Sequence, residues 1–183
     1  MISLQTPLQE IDIEKLTVED KVLLSGTIYT ARDKAHQRME LLLEKGEKLP
    51  FNPRGQVIFY AGPAPAKPGR VIGSIGPTTS KRMDVYTPLL LEKGLKGMIG
   101  KGERSGEVKK AIKHHKAVYF AAIGGAAALL SQYVVQAQVH AFEDLGPEAI
   151  YRLTVKNFPV IVAIDSSGRD LFREAPLKFK RRM

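Results

Sequence analysis

Residues 97–120 read GMIGKGERSGEVKKAIKHHKAVYF, and this stretch decides the predicted fold. Apolar segments at 97–100 and 118–123 have the composition of buried strands, and they flank a basic helix over residues 103–115. Strands that alternate with helices are typical of a partly parallel sheet covered by helices. The sequence therefore predicts a mixed α/β domain.

The rest of the chain extends this pattern in both directions. Further strands are predicted at residues 21–30, 56–61, 70–75, 135–141, 151–155 and 159–164. Further helices are predicted at residues 33–45 and 83–93, and a small-residue helix opens at Gly124-Gly125 and continues to about Tyr133. We expect one domain over residues 1–183 with a basic tail at 174–183, and the strand order stays open.

Composition excludes several kinds of site. The chain has 183 residues and no cysteine, so disulfides, zinc ribbons and thiolate-held clusters cannot form within it. The net charge is +9, but much of the excess lies on ordinary helix faces and in the tail. There is no tryptophan, and the other aromatic residues do not alternate with basic ones as a single-strand platform requires. We expect no nucleic-acid partner.

No apolar run is long enough to span a membrane, and residues 1–10 lack the basic start and apolar core of an export signal. A cytoplasmic protein without a membrane partner is therefore expected. The apolar run at 118–128 suits a core strand better than a subunit interface. His114 and His115 are adjacent and point in different directions on a helix, so no metal site is predicted.

Common catalytic motifs are missing. Gly100-Lys101 is followed by Gly102 rather than by serine or threonine, so it does not form a phosphate-binding loop. No G-x-G-x-x-G follows a strand, and no G-x-S-x-G elbow supports a serine hydrolase.

Three segments carry more information. Residues 76–84, GPTTSKRMD, place paired threonines, Arg82 and Asp84 in a turn where backbone amides and hydroxyls can hold an oxyanion. An ordinary helix cap explains the hydroxyls there but does not need Arg82. Residues 99–102, IGKG, place Lys101 between two glycines that allow close approach to the backbone. Residues 30–38, TARDKAHQR, place Arg32 beside Asp33, a candidate N-cap, where a cation is best tolerated with an anion nearby.

Arg32, Arg82 and Lys101 each follow a predicted strand. If these strands are neighbours, three cations converge at one edge of the sheet and form a plausible dicarboxylate site.

Five segments together resemble the β subunit of class I (iron–sulfur) fumarate hydratase, which is the C-terminal domain of single-chain members. They equally resemble the β subunit of the related L-tartrate dehydratase. The matching segments are GTIYTARDKAHQR (26–38), GPTTSKRMD (76–84), IGKGERS (99–105), IGGAAAL (123–129) and FEDLGPEAI (142–150). The resemblance runs from about residue 8 to residue 172.

The resemblance implies a swivelling β/β/α-type domain and a hydro-lyase that hydrates fumarate to L-malate reversibly, a step of the tricarboxylic acid cycle. It implies a [4Fe–4S] cluster held by three cysteines of a partner α subunit, a C4-dicarboxylate substrate and a higher hetero-oligomer. The isolated chain is then expected to be inactive.

The resemblance also assigns roles to residues. Arg32, Arg82 and Lys101 resemble the binders of the substrate carboxylates, and Thr78 resembles the general base, with Asp84, Thr79, Gly100 and Gly102 in support. A threonine is a poor base at neutral pH, so Thr78 acts either as an alkoxide or as a proton relay, and both roles stay open.

The substrate and the class of protein stay open as well. Fumarate and tartrate both carry two carboxylates, and nothing in the sequence separates them. A non-catalytic basic binding module would belong to a different class, and it predicts salt-dependent binding that is indifferent to Thr78.

Overall fold

Strands and helices alternate along the part of the chain described by the computed structural model, which comprises residues 1–122 and 126–180. The strands are Ile2–Gln5 (β1), Lys21–Thr30 (β2), Val57–Phe59 (β3), Gly97–Gly100 (β4), Val118–Ala121 (β5), Val134–Ala141 (β6) and Ile150–Ile164 (β7). The α-helices are Glu10–Ile13 (α1), Asp33–Glu44 (α2), Thr87–Glu92 (α3), Gly106–His114 (α4), Ala127–Leu130 (α5) and Leu171–Lys180 (α6). Shorter 3-10 helices span Ser80–Met83, Ser131–Tyr133 and Glu143–Glu148.

The sheet is mixed, as predicted. Strands β2, β3, β4 and β5 run parallel in that order, and β1 lies parallel to the first half of β2. The long strand β7 pairs antiparallel with both β2 and β5. The five strands β2, β3, β4, β5 and β7 therefore close into a barrel-like ring. Strand β6 pairs antiparallel with the first part of β7, from Ile150 to Val155.

Side chains alternate between two cores along the central strands because successive residues of a strand face opposite sides. Val57 and Phe59 of β3 and Phe120 of β5 face the interior of the ring. Ile58 of β3 and Tyr119 of β5, each next to one of these residues in sequence, face the layer of helices α2, α3 and α4. The continuous apolar character of these strands is therefore explained by burial on both faces.

The predicted strand at residues 70–75 is wrong. Ile72 and Ile75 are buried in the ring interior, but the segment has no ladder partner within the described residues. Its amides and carbonyls bond irregularly instead, through Ala64 N to Ser74 O and Ile75 N to Ala127 O, at 2.9 and 3.1 Å. Apolar residues here mark burial of a loop, which a strand-like composition does not distinguish from pairing.

The two predicted strands at 151–155 and 159–164 are one strand, β7. Asn157 has a left-handed φ of 53°, and its amide donates to Ser25 Oγ at 3.0 Å where β2 shifts register. This bulge bends the strand without ending it, so both halves stay paired with β2.

Two helix starts also differ from prediction. The helix predicted from residue 83 begins at Thr87 because Pro88 suits only the first turn of a helix, and residues 80–83 form a 3-10 turn before it. Helix α4 begins at Gly106 rather than at residue 103, and the Ser105 hydroxyl accepts the Val108 amide as its N-cap.

Elements near the two ends were not predicted. Strand β1 and helix α1 precede β2, and helix α6 occupies the first part of the predicted basic tail. Gly124-Gly125, the predicted opening of a small-residue helix, lies outside the described residues, and the helix is observed from Ala127 onwards. Within the described residues, no helix has the length and apolarity needed to cross a membrane.

Candidate functional site

The candidate residues lie at the carboxyl edge of the parallel strands. Backbone bonds continue past the strand ends here, from Ala31 to Phe59, from Tyr60 to Ile99 and from Ala122 to Gly100. Loops that leave this edge carry Arg32, Thr78 and Lys101. Parallel strands in α/β folds bind ligands at this edge because the strand-end loops converge there.

The route by which Arg82 reaches this edge differs from prediction. Arg82 lies in a 3-10 turn rather than directly after a strand, and β3 separates β2 from β4. The condition that three neighbouring strands carry the three cations is therefore not met. The loop before Arg82 is held instead by Thr78 N, which donates to Tyr60 O at 2.7 Å, and by Ser80 N, which donates to Lys101 O at 2.9 Å. The Thr78 loop therefore lies across the ends of β3 and β4.

One guanidinium connects the loops that carry Thr78 and Arg32. Arg82 Nη2 donates to Thr78 Oγ1 at 2.6 Å, and Arg82 Nε lies 3.1 Å from Asp33 Oδ1. A cation that donates to Thr78 Oγ1 stabilises negative charge on that oxygen. Asp33 is the first residue of α2, and the N-cap position before it is occupied by Arg32, so the predicted N-cap role of Asp33 is wrong.

Arg32 lies beside Glu148. Its Nη2 is 3.9 Å from Glu148 Oε1, and Glu148 Oε2 accepts the Lys34 amide at 2.9 Å, so an anion does lie beside this cation at the start of α2. A Cβ at Gly62 would overlap Pro147 O and crowd the Arg32 side chain. Arg32 Nε is buried and has no hydrogen-bond partner within the described residues.

The glycines on either side of Lys101 have different functions. A Cβ at Gly100 would overlap the Ser80 hydroxyl, so glycine is required there by close packing. Gly102 has open space around it but a φ of +83°, which favours glycine for conformational reasons. Lys101 is exposed, and it pairs in a short parallel bridge with Thr79, which is also exposed.

A buried ion pair lies beneath these loops. Asp84 Oδ1 accepts from Arg104 Nε at 2.6 Å, and its Oδ2 accepts the Ser105 amide at 2.6 Å. Arg104 Nη2 donates to Thr87 Oγ1 at 2.7 Å, and its guanidinium lies 5.3 Å from the ring centroid of Tyr60. Asp84 therefore supports the site through a scaffold that fixes the start of α4.

Comparison with known proteins identifies the family. Residues 1–175 match the protein family described as Fumarase C-terminus. This chain belongs to the fumarase C-terminus family. The expected resemblance is confirmed.

Three relatives indicate which proteins contain this domain. The chain is 39% identical over 178 residues to Fumarate hydratase 1, mitochondrial, of Leishmania major, and the match covers 95% of the chain and 32% of that protein. It is 37% identical over 177 residues to the anaerobic class I fumarate hydratase of Escherichia coli, covering 94% and 32%. It is 43% identical over 173 residues to the putative L(+)-tartrate dehydratase subunit beta of Methanocaldococcus jannaschii, covering 91% and 89%.

This member of the fumarase C-terminus family thus spans about a third of the length of the fumarate hydratases it matches. It spans most of the tartrate dehydratase subunit. These relatives are hydro-lyases, so the family is one of hydro-lyases, and the subunit relative is compatible with a two-subunit enzyme.

The donor set of this family member suits an anion better than a metal or a cluster. The chain contains no cysteine, and within the described residues no group of three His, Asp or Glu side chains is arranged to hold a metal ion. Its polar side chains at the strand ends are cations and a hydroxyl, and the carboxylates of Asp33 and Glu148 there are paired with arginines. An iron–sulfur cluster therefore does not fit the residues of this chain.

Sequence reasoning missed Arg104 and the state of His36. Arg104 is within the segment 99–105, but nothing in the sequence distinguishes a buried arginine from a solvated one. His36 is wholly buried, its Nδ1 lies 2.9 Å from Arg32 O, and burial lowers its pKa to about 4. It is therefore a neutral support for the Arg32 loop at neutral pH.

Proposed function

We propose that this chain is the β subunit of a heteromeric hydro-lyase that hydrates fumarate to L-malate reversibly. Arg32, Arg82 and Lys101 bind the carboxylates of the C4-dicarboxylate, and Thr78 transfers the proton at the carbon next to one of them. The bond from Arg82 Nη2 to Thr78 Oγ1 carries this proposal because it joins a carboxylate binder to the proton-transfer residue.

The charges of the site suit this reaction. Removing a proton next to a carboxylate produces an aci-carboxylate with additional negative charge. Fixed cations stabilise that charge more in the transition state than in the ground state, which is the condition for catalysis. Arg82 and Thr78 are already in contact, so the cation lies beside the proton-transfer residue before the substrate binds.

Thr78 acts as an alkoxide or as a relay in this proposal. A neutral hydroxyl is a weak base, and the charge-assisted bond from Arg82 favours the deprotonated oxygen. Thr78 is half-buried, whereas its bond to Arg82 lies on the exposed side of the site.

A second subunit completes the proposed enzyme. The side chains of Arg32 and Arg82 are 30% and 49% exposed, so this part of the site is open to a partner surface. A [4Fe–4S] cluster, when bound by a cysteine-containing α subunit, supplies a Lewis acid for the substrate hydroxyl. This chain supplies the cations and the proton-transfer hydroxyl, and it has no cysteine to hold the cluster.

L-Tartrate is the second candidate substrate. The specific observation in its favour is the 43% identity to a putative tartrate dehydratase subunit beta across 89% of that protein. Both substrates present two carboxylates, so the same three cations serve either one.

The experiment is an anaerobic assay of this chain with its α subunit, and of each alone, using the ultraviolet absorbance of fumarate. Fumarate turnover only in the mixture supports the proposal. Turnover of tartrate but not fumarate retains the mechanism and changes the substrate. Absence of a complex and of turnover on either substrate overturns the enzyme proposal in favour of a non-catalytic basic module.

A further inference from the structure

A buried tyrosine links the two loops that carry Thr78 and Lys101. Tyr119 lies on β5 with no exposed surface, and its hydroxyl donates to Gly102 O at 2.9 Å. The same hydroxyl lies 2.9 Å from Ser80 Oγ. A phenolic hydroxyl has one hydrogen, so Ser80 donates to Tyr119 and Tyr119 donates to Gly102.

The direction of this chain of hydrogen bonds is stable because the phenol stays protonated. Burial raises the pKa of Tyr119 well above its ordinary value. The aromatic ring of Tyr119 also packs against the Arg104 guanidinium, whose central carbon lies 4.9 Å from the centroid of that aromatic ring. Arg104 is itself fixed by Asp84.

The backbone contacts between the two loops are few at this point. Ser80 N donates to Lys101 O at 2.9 Å, but the bond from Lys101 N to Thr78 O is long, at 3.4 Å. The exposed side chains of Thr79 and Lys101 add no hydrogen bond to this pairing within the described residues. The Tyr119 hydroxyl therefore reinforces the junction from its buried side.

We propose that Tyr119 is a positioning residue that sets the separation between Thr78 and Lys101. This inference rests on the proposed function, in which Thr78 transfers the proton while Lys101 binds a carboxylate. Ser80 is two residues after Thr78, and Gly102 is adjacent to Lys101, so the hydroxyl that joins them fixes both loops at once. The reaction depends on that separation because a displacement of about 1 Å in a reacting geometry can cost roughly 100-fold in rate.

The first test is Tyr119→Phe in the complex with the α subunit, since this change removes the hydroxyl and retains the ring. We expect kcat to fall by roughly tenfold or more, with KM changing less than about threefold, because the cations remain present while their spacing to Thr78 loosens. A kcat within about twofold of the parent complex would overturn the inference.

A double-mutant cycle separates positioning from a general loss of packing. If the hydroxyl pair acts as a unit, Ser80→Ala and Tyr119→Phe lower kcat by less together than the product of their separate effects. Tyr60→Phe is the matched comparison, because Tyr60 is also buried and also lies against Arg104. Its hydroxyl contacts Arg104 and Thr87 instead of Ser80 and Gly102. We expect the effects of Ser80→Ala and Tyr60→Phe on kcat to multiply, because these side chains do not act as a unit. If the effects of Ser80→Ala and Tyr119→Phe on kcat multiply in the same way, the proposal is contradicted.

Hydrogen exchange on the full chain gives a readout that does not depend on activity. We expect the Ser80 and Lys101 amides to exchange faster in Tyr119→Phe than in Tyr60→Phe, because the junction between the loops opens more often. Unchanged exchange at both amides would overturn the link itself. A different outcome is faster exchange in Tyr119→Phe together with a parent complex that has no activity. That outcome would overturn the proposed function but would support the link that the Tyr119 hydroxyl makes between the two loops.

Discussion

Two arginine–aspartate pairs in this molecule use the same atoms in opposite surroundings. Arg104 Nε meets Asp84 Oδ1 at 2.6 Å, with side chains that are 0% and 9% exposed. Arg82 Nε meets Asp33 Oδ1 at 3.1 Å, with side chains that are 49% and 36% exposed. The first pair is enclosed by buried side chains, whereas the second is reached by water.

The difference separates a scaffold from a binding group. A buried charge that loses its partner has nothing to replace it, so the Arg104 pair is expected to persist. An exposed pair contributes at most about 1 kcal/mol because water and salt compete with it. Under the proposed function, Arg82 leaves Asp33 to bind a substrate carboxylate at small cost, while the buried Arg104 pair keeps the underlying loops in place.

Breaking the buried pair gives the largest expected effect. We expect Asp84→Ala to lower the free energy of unfolding by about 3–5 kcal/mol, because Arg104 is left buried without its anion. Urea unfolding measures this loss. Asp33→Ala removes the matched exposed partner and should cost less than about 1 kcal/mol. Equal losses in the two variants would contradict the distinction between scaffold and binding group.

Removing the exposed arginine should affect activity rather than stability. In the complex with the α subunit, we expect Arg82→Ala to lower kcat/KM for fumarate by roughly 100-fold or more, because a charge-assisted bond in the transition state is lost. Its unfolding free energy should stay within about 1 kcal/mol of the parent. Steady-state kinetics and urea unfolding of the same preparation test both halves. Full activity of Arg82→Ala would remove Arg82 from the proposed site.

Acid should lower the free energy of unfolding through protonation of His36. Burial lowers the pKa of His36 to about 4 from 6.5, and the nearby charge of Arg104 adds to the shift. The unfolded chain therefore binds a proton between these values that the folded chain does not, so stability falls as pH drops from about 6.5 to about 4. The loss is about 3 kcal/mol.

The control for this effect is His36→Gln, which cannot titrate. We expect its unfolding free energy to be less sensitive to pH than that of the parent over the same range, even if its absolute stability is lower. Urea unfolding at several pH values makes the comparison. An identical pH dependence in both proteins would show that His36 does not carry it.

Much of the fold could be predicted where local pattern and tertiary environment agree. Strand β2 occupies residues 21–30 as predicted because its apolar residues are both strand-forming and paired. Residues 70–75 have a similar composition but no pairing partner among the described residues, and composition alone cannot supply one. The closure of the ring by β7 depends on residues far apart along the chain, such as Lys21 and Ile161, and is likewise invisible in a single sequence.

The site could be predicted as a set of segments but not as an arrangement. Arg82 and Arg104 both have polar neighbours in the sequence: Lys81 precedes Arg82, and Glu103 and Ser105 flank Arg104. Only the fold reveals that one is exposed beside Thr78 and the other is buried against Asp84. Glu148, from the segment 142–150, is also placed beside Arg32 by long-range packing.

The smallest expected effect sharpens the comparison at the exposed pair. Asp33→Asn removes the carboxylate that pairs with Arg82. Under the proposed function, this carboxylate competes with the substrate for Arg82 and repels the dianionic ligand. We therefore expect KM for fumarate to fall by about twofold to fivefold at low salt, with little change in kcat or stability. Steady-state kinetics at two salt concentrations measures this, and the difference from the parent should shrink at high salt.

Asp144→Asn is the matched control, because Asp144 forms an exposed pair with Arg38 of the same helix as Asp33, with bonds of 2.7 and 2.8 Å. Arg38 is outside the proposed site, so KM should not change in this variant. A severalfold rise in KM for Asp33→Asn would mean that Asp33 positions Arg82 instead of competing for it. The exposed Arg82–Asp33 pair would then act as a scaffold, as the buried Arg104–Asp84 pair does. The contrast between scaffold and binding group would therefore not hold for Arg82.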